Sequence, residues 1–588
     1  MTTEHAWRFT TLAALLSALA FFIIIQMFRI QVSPEAEVFR EIGNAYAGHY
    51  EEIKPPRGPI YDRWGNLLAG NQTVYEVGLD LRNKGNPATI ALALNVVVGA
   101  DHDAVFAAAS QDYAPGTAVY AVLADYVTVA QKEQLEKLSQ EMDVAYGKKD
   151  DEDRPSLQGL LFEPHLQRTY PDKALASNIL GFVNRQGEGF FGVEERYNDI
   201  LAGSTERVWV PADPNKAVDM PTVESGSSLI LTIDRSVQSA MEEVLANGLN
   251  QSGAESGTIV VMDPATGEIM AIATTPVIDL NEFWRVAEVF EGATPFNRAV
   301  SESYEPGSVF KVLTMSAALD NDTVTPETQF LDTGLIEIGG AQIRNWNWGA
   351  WGPQDMVGCM QHSLNVCLAW VASQVGARDF YNYLEAFGLG RLTGVDLAGE
   401  VPGRLKLPGD GDWYEADLGT NSFGQGVSVT PIQMIAAVSA LANEGRMMTP
   451  HIIHARVDQG REYNTAPQVA GMPISAETAE TITQMLAVSL EEESSDALIE
   501  GYRVAGKTGT AEIPTPAGYT SSVTNASFVG WGPVDDPQFL VYVWLEKPTT
   551  SPWGSVVAAP VFREAVERLV VLLKLPPDDV RLKWMDSQ

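Results

Sequence analysis

The longest uninterrupted apolar run lies near the start of the chain. Residues 9–28, FTTLAALLSALAFFIIIQMF, carry no charge and are flanked by Arg8 and Arg29. At 1.5 Å per residue a helix of this length spans about 30 Å, one hydrocarbon core. It is apolar on every face, unlike the one-sided stripe of a surface helix. A secretory signal has a shorter apolar core and then a small-residue cleavage site, and no A-x-A follows here. The run therefore predicts a retained, single-pass anchor, with residues 1–8 as a short cytoplasmic tail. Arg8 and Arg29 nearly balance and do not set the orientation. Export of the large C-terminal part is expected because only eight residues precede the span.

Beyond the anchor the pattern changes. Residues 32–56 read as helical and then extended, ending at KPPRG. Residues 57–222 mix short strands with Ala-rich helices such as PATIALALNVVVG. The charged run GKKDDEDRPS at 147–156 predicts a solvated loop. The Pro-rich PADPNKAVDMPTVESG at 211–226 marks a boundary. After it, SSLILTIDRSVQSAMEEVLANGL predicts a strand and then a helix starting near Asp234, and SGTIVVMDPATGEIMAIATTP predicts a hairpin turning at DPATG. Helical patterns are expected from there to about residue 445. Three more strands follow in YRVAGKTGTAEI, NASFVGWGPV and QFLVYVWLEKP, then an amphipathic helix in APVFREAVERLVVLLKL. Strands at both ends of this segment, with helices between and after, predict one α/β domain whose sheet is closed by both ends of the segment.

Composition narrows the functions. Acidic residues outnumber basic ones 76 to 39, a net charge of −37, which argues against binding a phosphate backbone. Two cysteines, Cys359 and Cys367, are too few for a disulfide scaffold or a structural zinc site. His451 and His454 are close in sequence, but no acidic or Cys ligand stands near them, so no metal and no cofactor is expected.

Candidate chemistry sits in EPGSVFKVL, residues 305–313. Positions i and i+3 share a helix face, so Lys311 can point where Ser308 points. A helix N-terminus favours an oxyanion, and burial beside a positive neighbour lowers a lysine pKa toward a useful base. Ser-x-x-Lys can therefore be a nucleophile with its base. Alone it is too common to exclude a capping serine beside a solvated lysine. Two further segments reverse that balance: Ser363-Leu364-Asn365 in HSLNVC and Lys507-Thr508-Gly509 in AGKTGTAE. S-x-x-K, S-x-N and K-T-G in this order, at a helix start, an interhelical loop and a strand, form a specific joint signature. The strand at Lys507–Thr510 can pair edge-on with an extended peptide. Gly509 lets a backbone come close, and Lys507, Thr508 and Thr510 can hold a carboxylate. The N–H groups of Ser308 and Thr510 would form an oxyanion hole. Ser363 could relay a proton, and Asn365 could orient Lys311.

With these motifs the chain resembles the class B penicillin-binding proteins, the monofunctional D,D-transpeptidases of the bacterial cell wall. The resemblance runs from residue 9 to about 575. It includes NRAVSESYEPGSVFK, SFGQGVSVTPIQM, RGPIYDRWGNLLA, RTYP and GFFGVEERYNDILAG. It implies an anchor at 9–28, an elongated α+β pedestal of dimerisation type at 32–222, a serine β-lactamase-like transpeptidase domain at 226–575 and a tail at 576–588. No glycosyltransferase pattern occurs in 32–222, as expected for class B and not class A. By resemblance Ser308 attacks a D-Ala-D-Ala bond, releases D-Ala and passes the acyl group to a neighbouring amine. The resemblance also implies β-lactam antibiotics as ligands and a multi-pass lipid II polymerase as partner in the same cytoplasmic (inner) membrane. KTGTAEIPTPAGY with ASFVGWGPVDDPQ reads closer to division-type than to elongation-type members.

Competing readings are a serine β-lactamase, a β-lactam sensor and a scaffold without activity. The first is usually a secreted domain of about half this length. The second would follow several spans, and the third would not need the intact Ser308, Lys311, Ser363, Asn365 and Lys507. Two structural expectations complete the reading. Some of Arg57, Asp62, Arg63 and Glu194 should pair within the pedestal. Cys359 and Cys367 should both be reduced: on one continuous helix they would lie about 12 Å apart, beyond the roughly 7 Å that a disulfide tolerates.

Overall fold

The computed structural model describes residues 6–32, 48–114, 117–146, 154–211, 223–493, 495–513 and 523–585. Residues 147–153 of the loop expected at 147–156 and most of the Pro-rich boundary at 211–226 lie outside them, as does most of the stretch after the anchor. The described residues form two units. The smaller one, within 1–56 and 203–226, holds the helix Ala6–Val32 and a two-stranded antiparallel ribbon, Gly48–Ile53 with Glu206–Pro211. That helix is the one described helix long and apolar enough to cross a membrane, and it extends past residues 9–28 at both ends. On the ribbon, Tyr50 packs edge-on against Trp209 and under Arg207.

The larger unit joins 57–202 to 227–588. Its five-stranded antiparallel sheet has the order Ile269–Thr274, Ser256–Met262, Phe539–Glu546, Thr524–Gly532, Ala505–Glu512. The expected hairpin and all three late strands are present, and the sheet is closed from both ends of the segment. The strands Ile269–Thr274, Ser256–Met262 and Phe539–Glu546 are apolar at most positions because both faces are covered, whereas Ala505–Glu512, at the edge, carries Lys507, Thr508, Thr510 and Glu512. The helices Arg235–Ser252 and Gly554–Leu572 cover one face, with Met241, Leu245, Phe562 and Leu569 in that core. Asp234 caps the first of them by accepting from the Ser236 and Val237 N–H groups. The second begins at Gly554, upstream of the apolar run seen in the sequence, and carries Pro560 in its interior. On the other face packs the helix Pro431–Ser439, and the helix Lys311–Asp320 shares its core, which includes Val312, Leu313, Met434, Ile435, Val260, Val529 and Leu540.

One expectation fails between these layers. The region read as helical up to residue 445 contains four short strands, Phe330–Asp332, Leu335–Ile338, Ala341–Arg344 and Gly352–Gln354. The middle two form a hairpin around Gly339-Gly340, and LIEI-GG-AQIR carries the alternation and paired glycines of such a turn. The stretch 576–588 is also more than a tail. Helix Asp578–Met585 docks through Arg581 onto Asp535 and through the Asp578 N–H onto Gly501.

A second sheet ties the early and late parts of this unit together. The strand Ile60–Tyr61 pairs in parallel with Ser228–Leu231, which pairs with Ile453–Asp458. On its other side it pairs with Leu67–Asp80, which pairs with Tyr120–Thr128 and Leu160–Thr169. Beneath it lie the expected ion pairs. Glu194, fully buried, accepts from Arg57 Nε and Arg168 Nε, each at 2.7 Å. Tyr170 Oη points at the same carboxylate from 3.4 Å, and burial first, then the Glu194 charge, holds its pKa well above the usual value. Buried Asp62 accepts from the Trp64 and Asn66 N–H groups and from Asn66 Nδ2. Arg63 pairs with Glu268 at 3.2 Å, and Glu268 also meets His454 Nδ1 at 2.9 Å. The fold thus gives His454 an acidic partner that no sequence neighbour supplies.

Candidate active site

Pro306-Gly307 turns the chain into a short 3₁₀ segment, Gly307–Phe310, and the helix Lys311–Asp320 continues from it. Ser308 lies on this turn, half-buried, and lines a cleft of about 900 Å³. Lys311 is fully buried behind it. The lysine Nζ reaches Ser363 O at 2.6 Å, Asn365 Oδ1 at 2.8 Å and Ser363 Oγ at 3.1 Å. Burial, and secondarily the Lys507 charge, hold the Lys311 pKa well below 10.5. As a neutral amine it can spend its two N–H groups on Ser363 O and Asn365 Oδ1 and keep a lone pair for a proton.

Ser363 stands between the helices Met356–Gln361 and Asn365–Val375. Its φ of +51° lies in the left-handed region, uncommon for a residue other than glycine. That turn aims both Ser363 Oγ and Asn365 Oδ1 at one amine. Across the cleft, Ala505–Glu512 is the edge strand of the five-stranded sheet, bonded on one side only. Thr508 and Thr510 line the cleft. Gly509 faces the nucleophile turn: a Cβ there would come within 2.9 Å of Val309 Cγ1 and 2.3 Å of Ser527 Oγ. Gly307, at φ +61°, would bring a Cβ to 2.6 Å from Thr510 O. Turn and strand are thus held at a spacing that only glycines permit. Lys507 is buried. Burial lowers its pKa to about 8, opposed by the Glu493 charge.

Of the eight sequence-predicted residues, Ser308, Ser363, Asn365, Thr508 and Thr510 line the cleft, Lys311 lies buried behind it on Ser363 and Asn365, Lys507 is buried with its Nζ 3.2 Å from Thr508 Oγ1, and Gly509 packs against the nucleophile turn. A family model for the penicillin binding protein transpeptidase domain matches residues 257–567, and one for the penicillin-binding protein dimerisation domain matches residues 52–219. The chain belongs to the penicillin-binding proteins. Stage V sporulation protein D of Bacillus subtilis is 32% identical, over 91% of this chain and 82% of its own length. The probable peptidoglycan D,D-transpeptidase PenA of Neisseria gonorrhoeae is 29% identical, over 72% of this chain and 71% of its own. Penicillin Binding Protein 2X from Streptococcus thermophilus shares the fold with a TM-score of 0.73 at 24% identity, over 89% of this chain and 80% of its own.

The cysteine expectation is overturned in this penicillin-binding protein. Cys359 and Cys367 form a disulfide with their Cα atoms 6.1 Å apart. The expectation also held that a break at Ser363-Leu364-Asn365 could bring the cysteines together only by misplacing Asn365, and that part fails. The left-handed Ser363 turns the chain between the two helices and brings the cysteine Cα atoms within disulfide range, while Asn365 Oδ1 stays on Lys311 Nζ. The bridge closes the loop that carries Ser363 and Asn365. Exchanging both cysteines for serine should destabilise the domain by about 2–3 kcal/mol, the loop-entropy value for so short a loop. It should also slow acylation by loosening the Lys311 contacts. Thermal unfolding and the penicillin acylation rate of the double variant, both unchanged, would show the bridge to be incidental.

Sequence reasoning missed the aromatic rim. Trp346 and Trp553 meet edge-on at 5.4 Å and both line the cleft, with Arg344 and Trp348 beside them. The RNWNWGAW stretch was the available signal, three tryptophans just ahead of Ser363. Glu493 and Glu512 line the cleft as well.

Proposed function

We propose that this chain is a peptidoglycan D,D-transpeptidase acting through an acyl-enzyme on Ser308. The observation that carries the reading is the convergence of Lys311 Nζ on Ser363 and Asn365 behind the Ser308 turn, opposite an open strand edge. A stem peptide ending in D-Ala-D-Ala lies along Lys507–Thr510, its terminal carboxylate on Lys507, Thr508 and Thr510. Lys311 takes the Ser308 hydroxyl proton as Oγ attacks the penultimate carbonyl carbon. The Ser308 and Thr510 N–H groups receive the oxyanion. As the C–N bond breaks, the proton passes by Lys311 and Ser363 to the departing D-Ala amine. An amine of a second stem peptide then attacks the ester, the C–N bond forms, and Ser308 Oγ leaves with the proton.

The N-terminal helix is a single-pass anchor. Its insertion in the inner membrane with residues 33–588 outside, a division-type role and a lipid II polymerase partner belong to the same proposal. Family membership and the sporulation relative support that reading. Labelled penicillin tests it: a durable adduct mapped to Ser308 is expected, whereas rapid release would indicate a β-lactamase and no label a scaffold. The acylation rate should rise as Lys311 loses its proton and fall above pH 8 or so, as Lys507 loses the charge that holds the carboxylate. A rate still climbing at about pH 10, near the reference lysine pKa, would sink the role given to Lys507.

A further inference from the structure

Acylation leaves one wall of the cleft unassigned. Arg344 ends the hairpin strand Ala341–Arg344, and its guanidinium lies 5.7 Å from the centroid of the Trp348 ring. Both residues line the cleft. Acids outnumber bases almost two to one in this chain, yet among the described residues Arg344 makes no ion pair. An exposed arginine with so many possible acidic partners instead lies over an indole face, an arrangement that leaves its N–H donors for a ligand.

The platform beneath it is costly and firmly built. Trp348 has φ +60°, a left-handed conformation that bulky residues rarely adopt, and its side chain is 77% exposed. Backbone strain of this kind concentrates at ligand-holding sites. The loop is fixed from below by buried Asp332, which accepts from Trp351 N and Asn345 Nδ2, each at 2.8 Å. Asn345 O in turn accepts from the Trp348 N–H at 3.0 Å.

Position decides what this cation can meet. Asn365 Nδ2 donates to Arg344 O at 3.1 Å, and Trp346 Nε1 donates to His362 O at 3.1 Å, so the wall abuts the turn carrying Ser363. Ser363 is where the leaving amine collects its proton and where the incoming amine must arrive. The donor's terminal carboxylate is already matched to Lys507, Thr508 and Thr510 on the opposite strand. That carboxylate leaves with D-Ala before the acceptor amine attacks, so at the acyl-enzyme stage a cation beside Ser363 faces the incoming strand.

We propose that Arg344, seated on Trp348, binds a carboxylate of the acceptor, so that the acyl-enzyme prefers amines that carry a carboxylate close by. The proposal rests on the transpeptidase reading. Chemically the step is aminolysis: the acceptor nitrogen bonds to the acyl carbon, the ester bond to Ser308 Oγ breaks, and the amine proton returns to Oγ. Arg344 positions the acceptor and exchanges no proton.

The test uses the full chain in detergent, an N-acyl-D-alanyl thioester as donor, and D-alanine or D-alaninamide as acceptor. Aminolysis is measured against hydrolysis, with active sites counted by labelled penicillin. The native protein is expected to favour D-alanine by about tenfold, the size of one charge-assisted contact. In Arg344→Gln the preference should shrink to within about twofold, with part of it restored in Arg344→Lys. Trp348→Leu, which keeps the guanidinium but removes its platform, should fall between. Equal discrimination in native protein and Arg344→Gln, or none in either, would overturn the proposal. A native protein that takes no penicillin label would instead overturn the transpeptidase reading beneath it.

Discussion

Exchanging Lys311 for arginine is expected to lower penicillin acylation by about 10²–10⁴-fold, the usual contribution of a positioned general base. The native amine is fully buried, and its contacts to Ser363 O and Asn365 Oδ1 are satisfied by two donors. Burial and Lys507 make the neutral form accessible by holding the pKa well below 10.5. A guanidinium stays protonated at every working pH and has no lone pair to offer. It is also larger, so the variant's fold must be verified independently by its unfolding midpoint. Lys311→Met, which removes the base without adding bulk, provides the second reading of the same effect. If either variant folds and labels at the native rate, Lys311 is not the base.

Glu194→Gln is expected to be the most destabilising single exchange outside the cleft, at roughly 3–5 kcal/mol, the cost of removing one partner of a buried ion pair. The native carboxylate faces two guanidinium groups, and its removal leaves both charges buried without an acid. Their remaining bonds, Arg57 to Gly187 O, Asn198 Oδ1 and Glu194 O and Arg168 to Gly58 O, satisfy donors but neutralise nothing. Chemical denaturation should show the loss clearly, while Glu133→Gln, on an exposed helix face, should move stability by no more than about 0.5 kcal/mol. Equal effects from the two exchanges would mean that the triad is already open to solvent.

The chemistry was legible because it is local. Ser308 and Lys311 are three residues apart, as are Lys507 and Thr510, and each set needs only its own helix turn or strand to be placed. Three strands of the main sheet, Ser256–Met262, Ile269–Thr274 and Phe539–Glu546, were legible for a similar reason, since burial on both faces leaves a nearly unbroken apolar run. What escaped depends on backbone angles or on distant partners. The cysteine pair turned on one left-handed residue, Ser363, whose conformation nothing in HSLNVC announces. The hairpin at 335–344 is short and polar on one side, so its alternation was lost among helices. Arg344 became noticeable only when its lack of an acidic partner among the described residues could be seen against a folded surface. The pairing of Arg57 and Arg168 with one glutamate was expected in kind, but the second arginine was not.

The parallel pairing of Ile60–Tyr61 with Ser228–Leu231 has a mechanical meaning. The two family models meet the chain on either side of this junction, at residue 219 and residue 257, yet the hydrogen-bonded ladder runs straight across it. A load applied to the strands before residue 202 is carried into Ser228–Leu231 as shear along the ladder. From there it passes through the Asp234 cap to the helix Arg235–Ser252, which lies on the back of the catalytic sheet. The sequence places a border there, whereas the sheet makes that border a beam.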